Sequence, residues 1–416
     1  MRGLAPPVWR DSNFNKIWVG EIVSSLGSGI TTLALPLIAI GALQAGASEM
    51  GILGAASTSS FIVFGLLAGV IVDRAPRRLV LAVTSCAAAA VVASIPVASS
   101  LGILDIRQLY MVAFAAGCVS VVADVAFQAI LPQVVGRDRV LEGNAILRTT
   151  GAVTEIVGPG LAGVLIQLLT APIAIVVDAC SFLAAGVLAL FVRTTEPPPR
   201  PRGRIRSDVV EGLRFVVSTP ALRAIALGGG MHNVFQNGAF AAIYILFVTD
   251  RLGLSPVQLG FVLASSGPGA LMGALVAARY RRLVGLRASL IQTQVVTAVA
   301  RALVPAAVFL SQPVAALVVG EFVLGFARSV FNVNQVSFRQ AITPDHLQGR
   351  MAASIRFLLW VLVPLGSLAG GFGAARIGIT PMLCIAVGGI LLAAGWFVLV
   401  PGDEKPDTAQ VQGSEG

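Results

Sequence analysis

The segment 193-RTTEPPPRPRGRIRSDVVEGLRFVVST-219 is the one long polar interruption in a chain of 416 residues, and it separates two apolar halves. Its first part is so rich in proline and arginine that it predicts an exposed linker rather than a packed or membrane-embedded helix. From Asp208 onward, apolar residues recur at helical spacing. This second part predicts a short amphipathic helix on the membrane surface, capped by Asp208 with Glu211 three residues later.

The composition excludes a soluble domain. Hydrophobic residues make up 56% of the chain, charged residues 12%, and the mean hydropathy is +0.87. These values indicate a polytopic membrane protein. The 45 glycines fit a bundle of closely approaching membrane helices.

Twelve apolar runs are long enough to cross a hydrocarbon core of roughly 30 Å. Six precede the linker and six follow it. We number them as spans 1 to 12, near residues 14–43, 48–73, 78–99, 108–134, 141–169, 171–192, 220–249, 255–278, 287–311, 313–341, 347–375 and 379–400. The sequence therefore predicts an all-α membrane protein with twelve transmembrane helices in two pseudo-symmetric six-helix bundles. The predicted domains are a bundle at 1–192, a cytoplasmic linker at 193–219, a second bundle at 220–400 and a disordered cytoplasmic tail at 401–416.

The distribution of basic residues sets the predicted orientation. Most of the 29 Lys and Arg residues lie in the termini and in the loops on the same side, whereas Arg107, Arg251 and Arg376 lie on the other. By the positive-inside rule, both termini are expected in the cytoplasm of a cell-membrane protein. The same placement explains the net charge of +9 without nucleic acid as a partner. Membrane lipid is the expected surrounding, and the chain is expected to be a monomer.

The two halves also resemble each other in sequence. GVIVDRAPRRLV at 69–80, which ends span 2, aligns with GALVAARYRRLV at 273–284, which ends span 8. QAILP at 128–132 recurs as QAITP at 340–344 at the end of span 10. A duplicated six-helix unit is typical of secondary transporters that rock around a central site.

The loop between spans 2 and 3 carries the most specific motif. Its Gly69, Asp73, Arg74, Arg77 and Arg78 resemble the signature of this loop in the major facilitator superfamily, with Pro76 where glycine is usual. The resemblance covers nearly the whole chain and implies the major facilitator fold. In that fold the loop faces the start of span 11, so we predict a conformational latch that forms while the cytoplasmic side is closed. The alternative is a lipid anchor, which would not need Asp73.

Three further phrases resemble particular branches of this superfamily. In span 5, Gly151, Gly158, Pro159, Gly160 and Gly163 resemble the glycine and proline motif of the antiporter branches, which export their substrates. Ser25-Leu26-Gly27 in span 1 and the segment 178-DACSFL-183 in span 6 resemble the subgroup of macrolide efflux proteins and the enterobactin exporter.

Ionisable residues inside spans are functional candidates, because charge in hydrocarbon costs several kcal/mol unless it is paired or hydrated. The predicted proton-coupling candidates, in no order, are Glu21, Asp124, Glu155 and Glu321. Glu21 is close enough to the cytoplasmic end to reach water instead. Asp124 has a second interpretation as a latch member with Arg77 or Arg148. Asp178, on a peripheral span, is predicted to be structural.

In the superfamily, spans 1, 4, 7 and 10 line the cavity, and their polar faces are expected to converge there. The predicted substrate-contacting residues are Ser28, Thr31, Asn233, Gln236, Asn237, Arg328, Asn332 and Gln335.

The sequence lacks the patterns of common enzymes. The only lysines are Lys16 and Lys405, outside any phosphate-binding loop, and no metal-ligand spacing is present. No catalytic residue, cofactor or metal is therefore predicted. Three classes remain: a proton-driven exporter, an importer or facilitator, and a membrane receptor. The motif in span 5 favours an exporter of a small amphipathic molecule such as a drug, a macrolide or a siderophore-like compound.

Overall fold

The computed structural model describes residues 8–65, 67–193 and 205–401. This part of the chain is helical and contains no strand. Each apolar run forms the predicted crossing, because a helix satisfies its own backbone hydrogen bonds in lipid. In the first half, spans 1 to 6 are Ser12–Gly41, Ala47–Phe64 with Leu67–Arg74, Arg77–Ser100, Ile106–Val135, Val140–Leu169 and Ala171–Leu190.

The second half repeats this arrangement with more interruptions. Span 7 consists of Pro220–Asn233, a π-helical segment Val234–Phe240, and Ala241–Asp250. Spans 8 to 12 are Pro256–Ala264 with Ser266–Val284, Leu286–Ala306 with Ala307–Phe309, Pro313–Ile342, Gln348–Trp360 with Val363–Ile377, and Ile379–Ala393 with Ala394–Leu399. Eleven described helices are long and apolar enough to cross a membrane. Span 7 is the twelfth crossing and falls outside that set because it is divided into three short segments.

A linker helix, Ile205–Ser218, precedes span 7. It begins three residues before Asp208, so the prediction that Asp208 caps its start is wrong. Its Gly212 lies against the backbone of Arg350, and Glu211 pairs with the Arg350 guanidinium at 2.6 Å. The helix therefore packs on the beginning of span 11. The predicted proline-rich linker at 194–204 and the tail at 402–416 lie outside the described residues.

Apolar side chains point outward along most of the bundle. Leu168, Leu275 and Leu392 are 74, 76 and 69% exposed. Such exposure is costly in water but not in lipid, whose hydrocarbon tails are as apolar as these side chains. The surface pattern therefore fits a protein that is surrounded by membrane.

The described residues of the two halves pack together most extensively toward one side of the membrane. We call the face at which span 1 begins and span 12 ends the terminal face, and the opposite one the distal face. The largest hydrophobic cluster, near the distal face, includes Ile30 and Leu53 of the first half and Tyr244 and Ala374 of the second. The clusters near the terminal face each contain residues of one half.

Glycines make the distal contact close. Gly51 of span 2 lies against Gly371 of span 11, and Gly163 of span 5 lies against Gly260 of span 8. Without Cβ atoms, these backbones approach directly. The structure is therefore closed toward the distal face and open toward the terminal face.

Candidate transport cavity

A cavity of about 720 Å³ extends from Lys16, near the terminal face, to Leu35 and Met50 toward the distal face. Its wall comes from spans 1, 2, 3, 4 and 6, and Ala242 and Ile245 of span 7 close it on one side. The volume is that of a site for a drug-sized molecule. The wall combines apolar side chains with the hydroxyl groups of Ser24, Ser28, Thr31, Ser57, Thr84 and Ser120.

Two carboxylates are exposed in this cavity. Glu21 of span 1 accepts a hydrogen bond from Ser25 Oγ at 3.2 Å, and Asp124 of span 4 lines the same cavity. Arg356 of span 11 lies over the Phe61 ring of span 2, with its guanidinium carbon 5.1 Å from the ring centroid. Asp124 is thus a cavity residue.

A third carboxylate, Asp178, borders the same cavity, but none of its surface is exposed. It accepts a hydrogen bond from the Thr31 hydroxyl, and the Ser181 hydroxyl shares its single proton between the Asp178 carboxylate at 3.2 Å and the Asp178 main-chain carbonyl at 2.8 Å. Gly27 lies directly against Asp178 and Ser181, and a Cβ at this position would overlap both side chains. The contact brings together the two short phrases, in spans 1 and 6, on which the subgroup resemblance rests.

Spans 7 and 10 contribute differently from the prediction. Gln236 and Glu321 are buried in the second half, where both accept hydrogen bonds from Arg301 of span 9, at 3.1 and 2.5 Å. The guanidinium also lies over the rings of Phe240 and Tyr244, with its carbon 4.8 and 5.5 Å from their centroids. The expected convergence of four polar faces on one cavity is therefore wrong for these two residues, because Arg301 binds them inside the second half.

The remaining amides of spans 7 and 10 also bind within the second half. Asn233 donates to the Leu359 carbonyl oxygen at 3.0 Å, and Asn237 donates to Asn233 at 2.8 Å. Gln335 donates to Asn332 at 3.2 Å. None of these four amides lines the cavity described above.

Glu155 and Arg328 join the two halves. The carboxylate of span 5 and the guanidinium of span 10 lie 2.5 Å apart, and their side chains are 58 and 59% exposed. Ile156, the next residue in span 5, packs against Gly267 of span 8 at the closed side. The ion pair therefore lies beside the contact between spans 5 and 8.

The loop between spans 2 and 3 lies at the terminal face. Asp73, Arg74 and Arg78 are exposed, and no side-chain hydrogen bond to the Asp73 carboxylate is observed among the described residues. With its amide oxygen facing Arg77, Gln133 of span 4 accepts a hydrogen bond from Arg77 Nε at 3.2 Å. A Cβ at Gly69 would meet nothing within 4 Å. Arg148 is exposed and forms no ion pair in the described chain.

The glycine motif of span 5 faces two partners. Gly158 lies against Gly29 of span 1, where a Cβ on Gly29 would be 3.7 Å from Gly158 Cα. Gly163 contacts Gly260 and the Pro256 carbonyl of span 8, and the Pro159 carbonyl in turn faces Gly260. Gly151 is exposed, and Gly160 is half-buried near Ala264. The motif thus includes one of the contacts that close the distal side.

Sequence reasoning missed the roles of two residues. Arg301 was visible as an arginine within an apolar run, but nothing in its spacing identified Glu321 and Gln236 as partners. Asp178 was visible as an intramembrane carboxylate, and its position on a peripheral span concealed its place behind Thr31.

Comparison with known proteins agrees with this geometry. The model of the transmembrane secretion effector family matches residues 2–411. The multidrug efflux pump Tap of Mycolicibacterium fortuitum is 27% identical over 393 residues, covering 90% of this chain and 94% of Tap. The enterobactin exporter EntS of Escherichia coli O1:K1 / APEC is 23% identical over 394 residues, covering 89% of this chain and 91% of EntS.

Solved structures share the fold. A bacterial homologue of the human lysosomal transporter Spinster, in an inward-facing and unoccupied conformation, has a TM-score of 0.73 at 13% identity and covers 96% of this chain and 98% of its own. The nucleoside transporter NupG has a TM-score of 0.71 at 13% identity and covers 93% of this chain and 98% of its own. The chain is therefore a multi-pass membrane transporter rather than an enzyme, and it belongs to the transmembrane secretion effector family of the major facilitator superfamily.

Proposed function

We propose that this protein exports a small amphipathic molecule from the cytoplasm by alternating access, in exchange for protons. The observation that carries the proposal is the cavity of about 720 Å³, with apolar walls, hydroxyl groups and two exposed carboxylates, which opens toward the terminal face. The efflux pump and exporter among the relatives support the direction of transport.

In this proposal the terminal face is cytoplasmic, as the positive-inside rule predicts. Residues 1–192 and 220–400 rock as two bundles about the linker at 193–219. The structure then corresponds to the state that loads substrate from the cytoplasm. The substrate is bound mainly by hydrophobic contact, with the carboxylates of Glu21 and Asp124 available to a positively charged group.

A susceptibility screen tests the function. The chain is expressed in a bacterial host that lacks its own efflux pumps and is exposed to macrolides, siderophore-like chelators and amphipathic dyes. We expect increased resistance to some of these compounds and lower cellular accumulation, which a protonophore reverses. Faster uptake of a nutrient, with resistance to none of the compounds, would support an importer instead.

Coupling to protons needs a carboxyl group that changes its proton occupancy as access alternates. Of the four candidates, Glu21 and Asp124 face the cavity, Glu155 pairs with Arg328, and Glu321 pairs with Arg301. Each is neutralised singly, and ionophore-sensitive accumulation is measured. Full gradient-dependent transport in all four variants would place the coupling group elsewhere.

The ion pair between Glu155 and Arg328 is expected to favour closure of the distal side. Charge reversal at either residue replaces attraction with repulsion, while the exchanged pair Glu155→Arg with Arg328→Glu restores it. An exposed pair contributes about 0.2–1 kcal/mol and a like-charge pair costs a similar amount, so each single reversal should shift the population by roughly thirtyfold or less. Labelling of Met50→Cys from the distal side measures the shift. If labelling increased as much in the exchanged variant as in the single reversals, the attraction between Glu155 and Arg328 would be disproved.

The loop between spans 2 and 3 is expected to stabilise the opposite state, in which the cytoplasmic side is closed. Asp73→Asn and Arg77→Ala should each reduce turnover more than substrate affinity and increase labelling of Asn332→Cys from the cytoplasm. Contacts at a helix end contribute about 0.3–2 kcal/mol each, so linked contacts account for a shift of roughly tenfold in the equilibrium between the two states. Arg281→Ala in the second copy, where buried Ala277 replaces Asp73, is the matched control and should be milder. Equal, small effects at all three positions would indicate a lipid anchor.

A further inference from the structure

The most deeply buried carboxylate of the first half is Asp178 in span 6. It lies seven residues from the start of its helix at Ala171, about 10 Å from the distal end at 1.5 Å per residue. Its exposure is 0%, whereas Glu21 and Asp124 are exposed in the cavity. Hydrated carboxylates stay charged at little cost, but an ionised group with no water and no cation beside it costs several kcal/mol in a membrane.

The partners of Asp178 are hydroxyl groups. Thr31 donates to one carboxylate oxygen, and Ser181 shares its hydroxyl proton between the other oxygen, at 3.2 Å, and the main-chain carbonyl of Asp178, at 2.8 Å. A hydroxyl group can donate to a carboxylate and can equally accept a hydrogen bond from a protonated carboxyl group. The site can therefore hold Asp178 with or without a proton, and no rearrangement of the backbone is needed.

Charged groups on the neighbouring elements do not neutralise it. No ion pair involves Asp178 in the described chain. Span 1 carries its charges toward the terminal face, and span 3 has arginines only at its terminal end. The charged residues of span 5 are exposed or paired. The charged residues of these three spans are Lys16, Glu21, Arg77, Arg78, Glu142, Arg148 and Glu155, and Asp124 of span 4 lies across the cavity.

Thr31 connects this carboxyl group to the transport path. Thr31 and Asp178 both border the cavity, but Thr31 is 8% exposed and Asp178 0%, and the Thr31 hydroxyl group donates a hydrogen bond to Asp178. A proton passing between the cavity and Asp178 thus has a single hydroxyl group to cross. Thr31 and Asp178 are on spans 1 and 6 of the same half, so the pair stays together as the two halves rock and the cavity changes sides.

We propose that Asp178 is the residue that binds the exchanged proton, with Thr31 as its relay to the cavity. This inference rests on the proposed function and assigns a residue outside the four coupling candidates. In the distal-open state, Asp178 takes up a proton through Thr31 and becomes a neutral carboxyl group. In the cytoplasm-open state, the proton leaves by the same hydroxyl group as substrate enters the cavity, and the carboxylate re-forms.

The test uses protons alone as the probe. The full chain is reconstituted in lipid, and its infrared spectrum is recorded from mildly acidic to mildly alkaline pH. We expect the wild type to show a C=O stretch of a protonated carboxyl group that disappears as pH rises and is lost in Asp178→Asn. Asp250→Asn, which alters an exposed acid at the distal face, is the matched control and should keep the band.

A second pair of variants covers the case in which Asp178→Asn does not fold. Thr31→Val removes the hydrogen bond and should shift the frequency of the band, whereas Thr31→Ser should preserve it. A band that persists in Asp178→Asn, is insensitive to both Thr31 variants, or does not change with pH would overturn the proposal.

The infrared result does not depend on transport. If the screen detects no export and the band still titrates as expected, the proposed function fails while Asp178 remains a proton-binding residue. If export is coupled to protons and the band does not depend on Asp178, the coupling residue is another one.

Discussion

Replacing Gly163 by valine is expected to abolish transport, because the distal side could no longer close. In the structure, a Cβ at Gly163 would lie 3.1 Å from Gly260 Cα and closer still to the Pro256 carbonyl oxygen. Both are backbone atoms that cannot rotate away. Overpacking of this kind costs about 1–3 kcal/mol, which reduces the closed population by roughly five- to more than hundredfold.

The measurement combines export with accessibility. In a background without Cys86, Cys118, Cys180 and Cys384, Met50→Cys near the distal end of the cavity should become more reactive to an impermeant maleimide from the distal side. Gly158→Ala and Gly151→Ala, in the same motif, are the controls. A Cβ at either position would meet nothing within 4 Å, so both should transport normally. Normal transport by Gly163→Val would contradict the role of this contact.

Removing one member of the ion pair between Arg301 and Glu321 is expected to cause the largest loss of stability. Their side chains are 12 and 6% exposed, and Arg301 also binds Gln236. Arg301→Met leaves the Glu321 carboxylate buried without its cation, which costs about 3–5 kcal/mol. The double variant Arg301→Met with Glu321→Leu removes both charges and should recover most of that loss.

Thermal unfolding of the purified chain, followed by tryptophan fluorescence, checks this result. Arg328→Met on span 10 is the matched control, because its pair with Glu155 is more than half exposed and should contribute about 1 kcal/mol or less. The comparison also decides the status of Glu321. If Glu321→Gln retained full stability and lost only proton coupling, Glu321 would be a coupling residue and not a structural one.

Much of the fold follows from the sequence. Hydropathy identified all twelve crossings, because each segment must transfer its own backbone and side chains into lipid. The interruptions within spans 7, 8 and 11 were not predicted. Hydropathy averages over a window and is insensitive to a local π-helical turn such as Val234–Phe240, which packs through Gly238 against Val363 and Gly366.

The candidate site was predicted only in part. Ser28, Thr31, Glu21 and Asp124 line the cavity as expected, since spans 1 and 4 present one polar face each. Gln236 and Glu321 do not, because the guanidinium of Arg301 enters from span 9 and draws both into the second half. A helical pattern gives the face on which a residue lies but not the neighbour toward which that face turns.

The sequence by itself determined the membrane class, the twelve crossings, the repeated halves and the loop signature of the superfamily. These properties depend on composition and local spacing, which each segment carries alone. Only the tertiary structure decided that Arg301 binds Glu321, that Glu155 joins Arg328 across the halves, and that Asp178 lies behind Thr31. Such contacts depend on how each helix is rotated and how closely its glycines let it approach, and packing among all the spans sets both.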